Sequence, residues 1–247
     1  MRTLYILLFV LIGSVSLSAI NCKEVTSNYS SSKDDKVIQE ERKVGTFDGI
    51  GLTTSGDVKL IQGSPQKVVV EGAASDLEKI ETEVEGSKLK IKTKHGSWHI
   101  GKVTYYITME NIKELSISGS GSIIADNAVT VNDVALSISG SGNILLGDVK
   151  AANNVESHIS GSGSITVSGS AQARKHEIHI SGSGDVISGK LQVQDANVHI
   201  SGSGNCKLAV SGRLEVRVSG SGDVYYSGKP VIDASISGSG KLKETTF

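Results

Sequence analysis

The feature that most constrains this chain is a tandem repeat built on the tetrapeptide Ser-Gly-Ser-Gly. The block begins at residues 118, 139, 160, 181, 201, 219 and 237, so the spacings are 21, 21, 21, 20, 18 and 18 residues. A Gly/Ser linker has no reason to keep such a period, whereas stacked structural repeats require one. The repeat therefore indicates a folded array and not a flexible spacer.

Apolar residues stand at fixed positions on both sides of the block. The position before it holds Ile117, Ile138, Ile159, Ile180, Ile200, Val218 and Ile236. The second position after it holds Ile123, Ile144, Ile165, Val186, Cys206, Val224 and Leu242. Between blocks, apolar and polar residues alternate, as in Leu214-Glu215-Val216-Arg217-Val218, which is the pattern of a strand with one buried face. An approximate eighth copy occupies residues 53–58.

One copy has a single apolar face that it cannot bury alone, so the copies must stack. We therefore predict an all-β fold, a parallel β-helix or β-solenoid with coils of 18–21 residues. Alternation puts both glycines of each block on the inner side, where a missing Cβ lets coils approach closely. The 20- and 21-residue copies do not divide into hexapeptides, which favours a less regular coil, and the crossover preference predicts a right-handed one.

Residues 44–113 are interpreted as the divergent first part of the same domain, which spans 44–247 with the seven repeats in 114–247. Alternation over 80–84 and 88–92, with Gly86 between, predicts a hairpin. Leu77, Ile80 and Val84 also fit one face of a short helix, which is the alternative there. Val103 to Met109 alternates again and leads into the first full repeat.

Composition narrows the function classes. With 26 acidic and 25 basic side chains, the net charge of −1 provides no electrostatic footprint for nucleic acid. Hydrophobic residues make up 38% of the chain but aromatic residues only 4%, so the core must come from Val, Ile and Leu.

The N-terminus has the pattern of a secretory signal peptide over residues 1–21, with an apolar run from Leu4 to Ile12 followed by small residues. The sequence Ala19-Ile20-Asn21-Cys22 resembles the lipobox of bacterial lipoproteins, although Asn21 departs from the usual small residue. This predicts a lipid on Cys22 that anchors the protein to the membrane; the alternative is plain secretion with an unused thiol. A disulfide to Cys206 is not expected, because Cys206 holds a core position of a repeat.

Residues 22–43 are polar and charged and predict a flexible tether. Lys23-Glu24 after Cys22 resembles, in part, the export signal of outer-membrane surface lipoproteins of Bacteroidetes. The predicted location is extracytoplasmic, at the outer membrane. The sequence leaves open whether the protein faces the cell surface or the periplasm.

The Ile-Ser-Gly-Ser-Gly-x-Ile/Val units, with Phe47-Asp48-Gly49-Ile50 and Ser55-Gly56-Asp57-Val58 upstream, resemble the bacterial head GIN domain family of auto-transporter adhesins. The resemblance covers roughly residues 44–247. It implies a β-helical fold similar to pectin lyases, an extracytoplasmic location, an adhesive role and no catalytic residues to carry over.

Known site motifs fit poorly. The blocks lack the third glycine of a dinucleotide loop, and Gly-Ser-Gly-Asp at Asp185 and Asp223 lacks the spacing of a calcium β-roll. His158, His179 and His199 precede the inward Ile in three successive copies and are expected to form an outward row. Such a row could share a transition metal or titrate together; the alternative is a solvated ladder produced by repeat duplication.

The resulting interpretation is a non-catalytic adhesin, without a cofactor, that binds glycans or proteins through a repetitive polar face. Sugar stacking is expected at the aromatic residues Trp98, Tyr105, Tyr106, Tyr225 and Tyr226, of which each tyrosine pair should place one ring inward. One alternative is a structural or regulatory periplasmic protein. The other is a polysaccharide-active enzyme using Asp185 and Asp223, two coils apart with Asn205 between them.

Overall fold

The computed structural model describes residues 36–97, 99–151, 153–169 and 172–247. The first strands are β1 (Val37–Glu41), β2 (Gly49–Leu52), β3 (Asp57–Gln62), β4 (Lys67–Ala73), β5 (Ile80–Glu85), β6 (Lys88–Thr93) and β7 (Thr104–Met109), with a one-turn helix α1 (Ala74–Leu77) after β4. The repeats form β8 (Glu114–Ile117), β9 (Ser122–Thr130), β10 (Asp133–Gly140), β11 (Asn143–Ala151), β12 (Asn154–Gly161), β13 (Ser164–Val167), β14 (Gln172–Gly182), β15 (Asp185–Gly202), β16 (Cys206–Gly220), β17 (Val224–Ser227), β18 (Val231–Gly238) and β19 (Leu242–Glu244).

The repeats stack in register as a parallel β-solenoid, which confirms the predicted fold class. Strands on neighbouring coils pair in parallel, and each inward Ile lies beside its counterpart: Ile117 beside Ile138, Ile138 beside Ile159, and Ile159 beside Ile180. These side chains are buried. Because every coil repeats the same alternation, the stack builds continuous apolar columns along its axis.

Both glycines of a block let neighbouring coils approach closely, since a Cβ at Gly140 would lie 2.5 Å from the Gly119 carbonyl oxygen, but only the second is buried. Gly142, the second of its block, is buried, and a Cβ there would lie 2.5 Å from the Gly121 carbonyl oxygen and 2.7 Å from Ile117 Cγ2. Gly140, the first, is half-buried and turns the chain with φ +148°. The expectation that both glycines face inward is therefore correct only for the second, because the turn interrupts the alternation at the first.

The predicted eighth copy is part of the stack, but spatial order differs from chain order. Leu52 in β2 pairs with Ile117 of β8 on one side and with Ile91 of β6 on the other. Val58 in β3 pairs likewise with Ile123 and Tyr105. The β2–β3 coil is thus stacked between the β6–β7 coil and the β8–β9 coil, although β6 and β7 follow β2 and β3 in the chain.

Antiparallel strands lie at this first end of the solenoid. β5 and β6 form the predicted hairpin, so the helical alternative is limited to α1, which ends at Leu77 before the strand begins. β4 pairs antiparallel with both β7 and β1. β1 corrects the expected tether: Val37–Glu41 is an ordered strand because its backbone pairs with β4 and Ile38 packs on the core. Residues 1–35, with the signal peptide, Cys22 and the rest of the tether, lie outside the described residues.

The core consists mainly of Val, Ile and Leu, as the composition requires. Cys206 is buried within it as a free thiol. In the described part of the chain, no helix is long and apolar enough to cross a membrane. The last coil is more open: β18 is exposed along its length, including Val231 and Ile236.

Candidate functional site

A shallow groove of about 480 Å³ runs across the strands that precede the glycine blocks, and we name it the serine–histidine groove. It is lined by Ser116, Ile117, Ser118, Ser137, Ile138, Ser139, His158, Ile159, Ser160, His179, Ile180, Ser181, His199 and Ser201. On each strand the two outward residues flank an inward Ile, so stacking turns them into two parallel polar rows. One row is all serine; the other changes from serine to histidine along the axis.

The predicted histidine row lies in this groove. The rings of His158 and His179 are stacked, with centroids 4.9 Å apart and planes 4° apart. His179 and His199 are 5.9 Å apart and tilted by 37°. Register places Arg217 on the next coil, beside His199. The sequence thus located these side chains correctly relative to one another.

Two glutamates lie beside the histidines and were not predicted from the sequence. Glu177 Oε1 lies 3.2 Å from His179 Nε2, and Glu156 Oε2 lies 3.9 Å from His158 Nε2. Hydrogen bonds from Lys175 and then His179 lower the pKa of Glu177. Each glutamate stands two residues before its histidine, and the period of two in a strand was the signal that could have found it.

A second groove, of about 930 Å³, has amides as the largest group among its lining side chains; we name it the amide groove. The described lining residues are Asn111, Thr130, Val131, Asn132, Lys150, Asn153, Gln172, Ala173, Arg174, Gln192, Val193, Gln194 and Ser211. None of these carries a carboxylate. The groove was not predicted, because the alternation identifies which side chains face outward but not where the outer surface is concave.

Hydrogen bonds hold part of the amide groove in place. Arg174 donates from Nε to Asn153 Oδ1 and from a terminal nitrogen to Asn154 Oδ1, both at 2.9 Å. Asp133 Oδ1 in turn accepts from Asn154 Nδ2 at 2.6 Å. By contrast, Gln172 and Gln194 are exposed at the groove surface. In the amide groove, some side chains are therefore held by hydrogen bonds to one another, whereas Gln172 and Gln194 are exposed to solvent.

The side chains of the column after the glycine blocks accept hydrogen bonds from the backbone of the next coil. The Asn205 backbone N–H donates to Asp185 Oδ1 at 2.9 Å, and the Asp223 N–H donates to Asn205 Oδ1 at 3.1 Å. The Lys241 N–H donates to Asp223 Oδ1 at 2.8 Å. Each side chain thus caps the backbone of the next coil, and Asn205 separates the two carboxylates.

Asp223 also binds Lys243 Nζ at 2.6 Å and accepts from the Tyr225 hydroxyl at 3.1 Å. The hydrogen bond from Lys243 is the main reason why the pKa of Asp223 lies below its usual value. A general acid requires the opposite shift. The surroundings of Asp223 therefore favour its ionised form, in which it accepts hydrogen bonds from the next coil.

The tyrosine pairs each divide as the alternation predicts. Tyr105 is fully buried and Tyr106 is exposed. Tyr226 packs against the core, whereas the outward ring of Tyr225 has Lys243 Nζ 4.9 Å and Lys207 Nζ 5.9 Å from its centroid. Trp98 lies outside the described residues.

A further histidine was missed. His176 is fully buried, and its Nε2 lies 3.0 Å from Ser157 Oγ. Burial lowers its pKa to about 4. The alternation Ile180, Ile178, His176 already indicated an inward side chain.

Comparison with known proteins supports the same architecture. A family model described as "Putative auto-transporter adhesin, head GIN domain" matches residues 46–230. A crystal structure of a putative adhesin from Bacteroides fragilis has a TM-score of 0.77 at 21% identity, covering 85% of this chain and 97% of that one. A putative lipid binding protein from Parabacteroides distasonis has a TM-score of 0.66 at 26% identity, covering 86% and 98%.

A putative adhesin from Parabacteroides merdae has a TM-score of 0.69 at 19% identity, covering 86% of this chain and 97% of that one. No curated protein matches the chain. The similarity of these structures extends over nearly all of the solenoid and identifies a shared fold.

Proposed function

Because this chain belongs to the head GIN domain family of auto-transporter adhesins, we propose that it is a non-catalytic adhesin that binds an extended glycan along its amide groove. The observation that carries this proposal is the set of amides that successive coils contribute to one groove. An amide offers both donors and acceptors to sugar hydroxyl groups. Repetition along the axis lets many weak contacts act together.

The charges of the residues that line the amide groove limit which classes of ligand it can bind. Its described lining includes the cations Lys150 and Arg174 and no carboxylate. Asp148 binds Lys150 from outside the lining at 2.7 Å, and Arg174 remains committed to Asn153 and Asn154. The groove is therefore suited to a neutral or mildly acidic glycan and not to a polycation.

A non-catalytic role is supported by the column of Asp185, Asn205 and Asp223. Its oxygen atoms accept backbone hydrogen bonds from neighbouring coils, and the Asp223 carboxyl is held ionised. Incubation with pectic and host glycans, followed by a reducing-sugar assay, is expected to show no release. Release that is lost in Asp185→Asn or Asp223→Asn would establish the enzymatic alternative.

We further propose that a lipid on Cys22 anchors the protein to the outer membrane with the solenoid outside the cell. Membership of an adhesin family supports an extracellular or cell-surface location, and the lipobox-like sequence supports the anchor. Protease treatment of intact cells is expected to cleave the wild-type protein, and lipid labelling is expected to disappear in Cys22→Ala. Labelled but protected protein would instead support the periplasmic alternative.

Glycan binding is tested by screening the purified protein on a glycan array and then measuring affinity by calorimetry. Gln172→Ala and Gln194→Ala should weaken binding, because both amides lie at the surface of the amide groove. Ser160→Ala, in the serine–histidine groove, is the matched control and should leave binding intact. Weakening by Ser160→Ala alone would move the site to the other groove, and no binding to any glycan would favour a protein ligand.

A further inference from the structure

The histidine row differs from the rest of the outer surface because it places one imidazole directly beside another. His158 and His179 pair in register on adjacent parallel strands. Their centroids are 4.9 Å apart. Neutral imidazole is a preferred ligand of Zn²⁺, Ni²⁺ and Cu²⁺, and two such rings on neighbouring strands can turn toward one ion.

Carboxylates distinguish one end of the row from the other. Glu156 and Glu177 stand beside His158 and His179, and Glu177 Oε2 is held at 2.9 Å by Lys175 Nζ, which leaves Oε1 directed at the imidazole. On the next coil the equivalent residue is Asn197. The attraction for a cation is therefore concentrated at the first two histidines.

At the far end of the row, the nearby carboxylates are occupied by an arginine. His199 pairs in register with Arg217, whose guanidinium lies 3.3 Å from Glu215 and 3.1 Å from Asp233. The His179 and His199 rings are also farther apart and tilted. His199 thus lacks the neighbouring glutamate, two residues before the histidine, that His158 and His179 each have.

As the side chains stand, no three His, Cys, Asp or Glu groups among the described residues converge on a single point. Binding requires the two rings to rotate toward each other, with Glu177 Oε1 turning from the His179 nitrogen to the ion. The His158 and His179 side chains are 46% and 44% exposed, so rotation disturbs no core packing. The groove in front of them, about 480 Å³, has room for water molecules to complete the coordination.

From these observations we propose that His158, His179 and Glu177 form a binding site for a divalent transition-metal ion of the Zn²⁺, Ni²⁺ and Cu²⁺ class. The site is separate from the amide groove and does not depend on glycan binding there. His199 lies on the same row but outside the site. Hard cations such as Ca²⁺ and Mg²⁺, which prefer oxygen ligands, do not compete.

Calorimetric titration of the purified protein with ZnCl₂ tests the proposal. One ion per chain is expected, and His158→Ala or His179→Ala should reduce the affinity about tenfold or more. His199→Ala is the matched control and should leave the affinity nearly unchanged. Asn197→Glu should strengthen binding in the His158→Ala background, because it places a carboxylate two residues before His199, as Glu177 stands before His179.

Paramagnetic Ni²⁺ provides a local readout that a change in stability would not mimic. Nuclear magnetic resonance signals of His158, His179 and neighbouring Ser160 should broaden first. Absence of Zn²⁺ binding, unchanged affinity in His158→Ala, or an equal loss in His199→Ala would overturn the proposal. Broadening centred on His95 or His99 would do the same, since it would place the ion elsewhere.

Discussion

Inside the solenoid, His176 Nε2 lies 3.0 Å from Ser157 Oγ, and His176 Nδ1 has no hydrogen-bond partner. Both residues are fully buried on adjacent coils. Since a charge there would be desolvated without a compensating anion, the folded protein holds the imidazole neutral, with its pKa lowered to about 4.

This pair predicts loss of stability in acid. The unfolded chain, with an ordinary histidine pKa of 6.5, takes up the proton before the folded one does. The contribution is therefore unchanged above that pH, falls as the pH decreases from 6.5 toward about 4, and levels off below. The total loss from this group is roughly 3 kcal/mol.

Urea unfolding at several pH values between 7.5 and 4 measures the effect. The double variant Ser157→Ala/His176→Leu removes both polar groups together and should show a flatter pH dependence than the wild type. Equal slopes in the two proteins would show that other groups cause the acid sensitivity.

The buried second glycines of the blocks predict that even a substitution to alanine lowers the free energy of unfolding. Gly142→Ala would force a methyl group against the Gly121 carbonyl and Ile117. We expect a loss of about 2–3 kcal/mol in the free energy of unfolding. Gly45→Ala is the matched control, because a Cβ there meets nothing within 4 Å. Similar stabilities of the two variants in chemical denaturation would contradict the packing argument.

The hydrogen bond from the Lys241 N–H to the Asp223 carboxylate predicts that alanine and asparagine at position 223 differ in their effect on amide exchange. Asp223→Ala removes the acceptor for the Lys241 N–H, so hydrogen exchange of the Lys241 amide should accelerate. Asp223→Asn keeps an oxygen acceptor while removing the charge, and should retain most of the protection. If both variants exchange equally fast, the ion pair with Lys243 provides the protection, and the side-chain cap does not.

Because Cys206 is buried among apolar side chains, we expect an apolar substitution there to reduce stability less than a polar one. The thiol is buried between Val186 and Val224 on neighbouring coils, and burial raises its pKa. Cys206→Val should cost less than about 1.5 kcal/mol, whereas Cys206→Ser should cost about 1–3 kcal/mol if its hydroxyl finds no partner. Thermal unfolding compares the two variants. A thiol reagent that modifies folded Cys206 rapidly would contradict its burial.

The sequence by itself determined the solenoid body. A period of 18–21 residues, with an apolar residue on each side of every block, specifies both which side chains face inward and which residues stack, as Ile138 on Ile159 shows. The same logic located the row of His158, His179 and His199. Local alternation is sufficient here because the strand period of two fixes the direction of each side chain.

Only the tertiary structure decided what depends on distant partners. β1 is a strand because β4 offers it a free edge, and the β6–β7 coil stacks outside β2–β3 against its chain order. The use of Asp223 as a backbone cap and the concavity of the amide groove belong to the same class. Alternation specifies which way a residue points but not which edge pairs with which, since edge pairing is set by the hydrogen bonds and apolar area gained once the whole stack has closed.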